Sequence, residues 1–372
     1  MALSQVQLER LHTSVTDKIG ERKNLIINGA MKVAQRGNIS SVQNGYGGAD
    51  RFSFRSSGAA VVTIRQQGVG NSPTDQGFGF CQQFDVTTAD SSLAATDFAK
   101  IQYRFEGQDL QLLKKGTANA QQVTLSFFVK SPKTGTHIVE LVDQVNTRAV
   151  SLSYTVSSAN TYEKKTLTFP ADTTGTLTND NARRMDLNWY LAAGSNLTSG
   201  TLQTTWGSIT SANRAVGQVN CVDSTDNNFF ITGVQLELGT VATDFEHRLF
   251  PEDLALCQRY CCRWDTAGAT TNNHSRFPTG YNQNTSSAMI FLTHPVPMRV
   301  TDGRTITHNI GVVEILTPGN NTSSLTLSGD ASSNMITAVS LNSIGSVTQH
   351  ALCAPRVGSG QTDWYIIIAC EL

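Results

Sequence analysis

Apolar and polar side chains alternate along much of this chain. In "VTLSFFV", Val123, Leu125, Phe127 and Val129 take every second place, with Thr124, Ser126 and Phe128 between them. "RMDLNWYLA" sets Met185, Leu187, Trp189 and Leu191 against Arg184, Asp186, Asn188 and Tyr190, and "NLIINGAMKV" groups Leu25, Ile27, Met31 and Val33. A period of two marks strands with one buried face, because successive side chains point to opposite sides of a sheet. Segments of this kind, bounded by Gly, Asn and Pro, recur from Asn24 to "FFITGVQLEL", which ends at Leu238. They predict a large β-sandwich of jelly-roll type.

Two stretches change period. Ser4 to about Lys18 predicts a short amphipathic helix, with Ser4 and Gln7 as a capping box and Leu3 and Leu8 as a hydrophobic staple. Leu8, Leu11 and Val15 continue the apolar stripe. So short a helix is marginal alone, and its stripe needs a partner: its own domain, or another subunit or particle. Leu3, Leu8, Leu11 and Val15 are therefore the expected attachment or oligomerisation residues. From Pro251 to about Trp264 a second helix is predicted. Pro251 suits its first turn, Glu252 and Asp253 suit its positive end, and Leu254, Cys257, Cys261 and Trp264 share a face. Strand patterns resume in "SAMIFLTHPVPMRV", "NMITAVSL" and "DWYIIIACEL". The expected organisation is mainly β: an attachment helix over 1–23, a jelly-roll sandwich over 24–248, a linking helix over 249–264 and a smaller C-terminal β domain over 265–372.

Charge narrows the function. Lys plus Arg number 28 and Asp plus Glu 29, so no overall field of one sign exists to hold nucleic acid or an anionic membrane. No run of ~18 apolar residues predicts a transmembrane helix. The first residues lack the basic and apolar blocks of a secretory signal. The seven cysteines, odd in number and without a CxxC pair, read as reduced thiols made in a cytoplasm.

The densest candidate chemistry is "DFEHR", where Glu246, His247 and Arg248 adjoin. A hydrolase would need a nucleophile or second carboxylate delivered there by the fold. The simpler reading is a structural junction in which Glu246 and Arg248 pair or hydrogen-bond while Phe245 plugs the sandwich edge. Cys257, Cys261 and Cys262 lack two further placed ligands for zinc and read as buried thiols. No metal and no cofactor is expected. The HExxH, GxSxG, Walker A and GxGxxG patterns are absent, although folding alone can still pair carboxylates. Arg184, Asp186, Asn188 and Tyr190 offer hydrogen bonds and a ring to a sugar. Trp206 and Tyr46 offer further rings. The same residues also suit a solvated strand face and, for Trp206, packing in its own loop.

In chain order, "NLIINGAMKVAQRG", "GYGGADRFSF", "VTLSFFVKSPKTGTH", "KTLTFPADTTGT", "ITGVQLELGTVATDFEHR", "PEDLALCQRY" and "PVPMR" resemble the fibre- and tail-associated structural proteins of tailed bacteriophages. The resemblance spans residues 24–372 and is most specific at "ITGVQLELG…FEHR…LCQRY". It implies a jelly roll of carbohydrate-binding-module type, a linking helix, a distal β domain and a place on the virion. Glu237, Phe245, Glu246 and Arg248 are carried over as structural signature positions. Cys261 and Cys262 stand where related chains usually have aromatic residues. The expectation is a non-enzymatic virion structural protein, a tail fibre or spike-like appendage made in the host bacterial cytoplasm. It would be homotrimeric, joined to other virion proteins and in contact with host surface polysaccharide, with no nucleic acid and no membrane insertion. A capsid or tail decoration (cement) protein and a polysaccharide depolymerase are the alternatives.

Overall fold

Residue alternation resolves into two antiparallel sheets packed face to face. One runs, in spatial order, Ile39–Val42, Val61–Gln67, Cys81–Thr88, Asn228–Leu238, Val123–Lys130 and Glu163–Phe169. The other runs Gly207–Ser208, Arg148–Val156, Gly135–Asp143, Arg183–Ala193, Phe98–Glu106, Ser53–Ser56 and Asn44–Tyr46. Neighbours in space are often distant in sequence, as a jelly roll requires. The chain is seen here in a computed structural model that describes residues 23–265, 279–309, 313–315, 321–322, 324–328, 332–344, 347–353, 355–357 and 365–372. The expected attachment helix, with Leu3, Leu8, Leu11 and Val15, lies outside the described residues.

The sandwich core is built from the apolar halves of the alternating strands. Met185, Leu187, Trp189 and Leu191 from one sheet meet Val123, Leu125, Phe127 and Val129 from the other. Trp189 meets the Phe127 ring edge-on at 5.9 Å and lies 6.3 Å from Phe52, tilted geometries that aromatic quadrupoles favour. The segment "NLIINGAMKV" departs from the expected strand. Asn28 and Met31 take positive φ, the chain turns, and Ile26 rather than Ile27 enters the core. At Gly233, φ is +60° and the pairing register slips between Thr232 and Gln235. A Cβ there would stand 2.6 Å from the Phe78 ring, so glycine makes this bulge feasible.

The linking helix is shorter than expected. It spans Phe250–Gln258, and Cys261–Asp265 is a strand paired with Tyr365–Ala369. Helical spacing of Cys257, Cys261 and Trp264 was a coincidence of pattern. The Ile-rich strand Tyr365–Ala369 supplies a backbone ladder that outweighs local propensity. On its other side this strand pairs with Thr305–His308. A second sheet orders Ser324–Ser328, Ile336–Asn342, Ser287–Thr293, Gly280–Asn282 and Leu352–Cys353. Ile290, Leu292, Val339, Leu341, Ile366 and Ile368 share a core cluster separate from that of the sandwich.

Polar contacts join these C-terminal sheets to the sandwich. Glu371 pairs with Arg51 and, at 3.1 Å, with Arg36. Gln35 Nε2 donates to the Cys261 carbonyl at 2.6 Å, and Arg259 grips Glu106 through two bonds of 2.9 and 2.7 Å.

Candidate functional site

The "DFEHR" segment is tied to the start of the sandwich. Arg248 Nη1 donates to the Ile26 carbonyl at 2.9 Å, Nη2 to the Asn24 carbonyl, and Nε to Glu246 at 3.3 Å. Glu246 in turn accepts the Asn24 N–H at 2.7 Å. Phe245 and His247 pack on Phe78, with ring centroids 5.0 and 5.3 Å away. Glu237 is buried and fixes the following turn, accepting from Thr243 N at 2.8 Å and Thr243 Oγ1 at 2.7 Å. Arg248→Ala would strand two buried carbonyls. It is expected to cost about 2 kcal/mol in urea denaturation, and a loss near zero would contradict the clasp.

A different assembly occupies the side of the seven-stranded sheet away from the core. Cross-strand pairing aligns Tyr46, Ser53, Gln102, Asn188, Glu140 and Ser151 in one row. Asn44, Arg55, Lys100 and Tyr190 form the next. Glu140 is fully buried and accepts from Arg214 (2.6 and 2.8 Å), Asn188 (3.0 Å) and Tyr190 (3.1 Å). Asp186, also fully buried, accepts from Gln144 at 2.6 Å, Gln102 at 3.2 Å and the Arg183 guanidinium. Burial, followed by the adjacent Glu140, pushes the Tyr190 phenol well up, so it stays a neutral donor. Carboxylates engaged this fully serve poorly as proton shuttles, which need reach to a substrate.

The expected sugar-contact residues separate. Asp186, Asn188 and Tyr190 come together, but beneath other side chains rather than at the surface. A register irregularity between Arg183 and Met185 lets Arg183 reach Asp186, while Arg184 pairs with Asp180. Trp206 stands elsewhere. Its Nε1 donates to the Pro170 carbonyl at 2.8 Å, and its ring lies 5.3 Å from the Lys115 ammonium. Cys257, Cys261 and Cys262 are buried free thiols, and burial pushes Cys262 up to about 12.

Two clefts border the polar face. One, of 740 Å³, lies where the sandwich meets the C-terminal sheets and is lined by Tyr46, Arg55, Arg104 and Glu371 among others. The other, of 480 Å³, is lined by Phe98, Lys100, Tyr190, Asn196 and Arg214 among others. Burial pushes the Lys100 ammonium down to about 8, Glu140 opposing the shift and Arg214 adding to it. Lys100, Gln102 and Arg104 on this face belong to no motif. Their signal was available, since they alternate with Ile101, Tyr103 and Phe105 in "FAKIQYRFE".

No family model matches this chain, and no curated protein matches it. Among solved structures, it is similar to the enzymatically active domain of tailspike protein 4 from bacteriophage CBA120, at 17% identity and a TM-score of 0.29. That likeness covers 54% of this chain, which spans 22% of the tailspike chain. A family 11 carbohydrate-binding module of a Clostridium thermocellum cellulase gives 12% identity and a TM-score of 0.28, covering 56% of this chain and 97% of that one. A tandem of family 22 modules from Paenibacillus barcinonensis gives 10% and 0.28, covering 95% and 99%. At these scores the superpositions are loose, and the fold is defined by its own hydrogen-bonded sheets.

Proposed function

We propose that this chain is a non-enzymatic virion structural protein of a tailed bacteriophage, a tail fibre or spike-like appendage that touches host surface polysaccharide. The polar outer face of the seven-stranded sheet, bordered by clefts of 740 and 480 Å³, is the observation that carries the contact role. Sugars are bound by planar polar groups and rings in such recesses, and Tyr46, Arg55 and Lys100 provide them. The virion setting is supported by the ordered sequence blocks quoted above. A depolymerase would need two available carboxylates roughly 5–9.5 Å apart, whereas Arg214 and Arg183 already engage Glu140 and Asp186.

The reading includes a homotrimer, fastened to other virion proteins through Leu3, Leu8, Leu11 and Val15. Copies held together would multiply weak sugar contacts by avidity. The test is electron microscopy of particles labelled with an antibody against this chain. Label at the tail supports the appendage, and label spread over the head contradicts it in favour of a decoration protein. Light scattering of the isolated protein should give three chain masses; a monomer would contradict the trimer.

A further inference from the structure

Resting on the reading that the outer face of the seven-stranded sheet contacts polysaccharide, we propose that its ligand is an anionic glycan whose carboxylates are held by Arg55 and Lys100. The two residues stand directly opposite on neighbouring strands, Ser53–Ser56 and Phe98–Glu106. Like charges so placed on a sheet destabilise it. Among the described residues neither forms a close ion pair with a carboxylate, Glu140 and Asp186 acting on Lys100 only from further off. Arg55 has only the Tyr46 ring, 5.6 Å away, and its Nε is buried without a hydrogen-bond partner. Such an orphaned donor is costly until something accepts from it. The Lys100 ammonium lies between the rings of Phe98 and Tyr190, at 5.1 and 5.8 Å.

The neighbouring groups sharpen the preference. Arg55, Lys100, Arg104, Arg183 and Arg214 share this region with Glu140, Asp186 and Glu371, so cations predominate locally in a chain whose formal charge is −1. Glu140 and Asp186 are engaged by Arg214 and Arg183, Glu371 by Arg51 and Arg36, and Arg104 donates to Gln102 and the Leu372 carbonyl, which leaves Arg55 and Lys100 as the cations open to a ligand. Arg55 opens into the 740 Å³ cleft and Lys100 into the 480 Å³ cleft. A carboxylate reached from either side supplies the missing acceptor and relieves the repulsion across the strand pair. The planar guanidinium suits two parallel bonds to one carboxylate.

The experiment is isothermal titration of the full chain with an oligogalacturonate, with its carboxyl-reduced neutral form, with a neutral mixed-linked β-glucan tetrasaccharide and with an oligothymidylate. Oligogalacturonate should bind, and carboxyl reduction should weaken it about tenfold or more, the scale of one charge-assisted bond. Arg55→Gln and Lys100→Gln should each weaken oligogalacturonate while leaving the circular dichroism spectrum unchanged and the melting temperature no lower than that of the wild type. Arg55→Lys should recover part of the loss. Affinity should fall with added salt and above about pH 8, where Lys100 loses its proton. The pH effect should vanish in Lys100→Gln. Arg55, Glu140, Asp186, Arg183 and Arg214 are the other charged groups facing Lys100, and the Tyr190 phenol beside it is pushed well up. Equal binding of the neutral sugars would overturn the charge preference and leave the polysaccharide reading standing. Binding of none would overturn both. Oligothymidylate binding as tightly as oligogalacturonate would overturn the glycan class.

Discussion

Lys115→Met is expected to destabilise the protein by about 3–5 kcal/mol, because it removes one partner of a buried ionic cluster. The Lys115 ammonium lies 2.5 Å from Asp143 and 3.0 Å from Asp172, and donates to the carbonyls of Thr174 and Gly175 at 3.0 and 2.8 Å. It draws the turn after Asp172 onto the end of the strand Gly135–Asp143. Methionine would fill the space but leave buried carboxylates facing each other, with only Asp172 still gripped by Arg148. Burial alone would push the Asp172 carboxyl up, but bonds from Arg148 and Lys115 hold it below its ordinary value. Its contribution to stability is therefore complete above the usual carboxylate pKa of about 3.9. It is lost as pH falls through the lower value of the folded state. Urea denaturation from about neutral to acid pH should show a smaller acid-dependent loss of stability in Lys115→Met than in the wild type, because Asp172 is no longer held as far below its ordinary value. A neutral-pH loss under about 1 kcal/mol would contradict the account, being the size of an exposed pair.

Glu371→Ala is expected to cost a similar amount, about 3–5 kcal/mol, by a different route. Arg51 is buried, and Glu371 is its one carboxylate partner among the described residues. The guanidinium also donates to the Arg104 carbonyl at 2.9 Å and lies 3.4 Å from the centre of the Tyr260 ring. Removing Glu371 leaves that charge buried between the sandwich and the C-terminal sheets. Calorimetry should then separate a lower-melting transition from the main one, since the contact joining the two cores is weakened. Replacing both partners by apolar residues, Arg51→Met with Glu371→Leu, should recover part of the loss, as buried pairs often tolerate joint replacement. A single unshifted transition in Glu371→Ala would show that the seam does not depend on this pair.

The sandwich was legible because its strands turn one apolar face to the core and a polar face away from it. Val123 to Val129 and Met185 to Leu191 carry the period of two of a sheet with one apolar face. The helix boundary was less legible. Cys257, Cys261 and Trp264 fit a helical face locally, and only the distant strand Tyr365–Ala369 turns Cys261–Asp265 into a ladder. Long-range partners of this kind leave no mark near the residues they recruit.

The polar face was half legible. Asp186, Asn188 and Tyr190 were placed opposite the core, but the sequence does not reveal Arg183, Gln144 and Arg214 closing over them. The shift at Arg183 also reverses which of two adjacent arginines reaches Asp186. Balanced composition concealed the local charge: 28 cations and 29 anions over the whole chain say nothing of Arg55 and Lys100 standing opposite each other. Pairing register, which brings those two together, is a tertiary property.

Hydrogen–deuterium exchange of the full chain, with and without purified host envelope polysaccharide, tests the central account most directly. Protection should appear in Asn44–Tyr46, Ser53–Ser56 and the residues around Lys100, with the polysaccharide recovered at its original length. Protection confined to the other sheet, or release of shortened oligosaccharides, would contradict it.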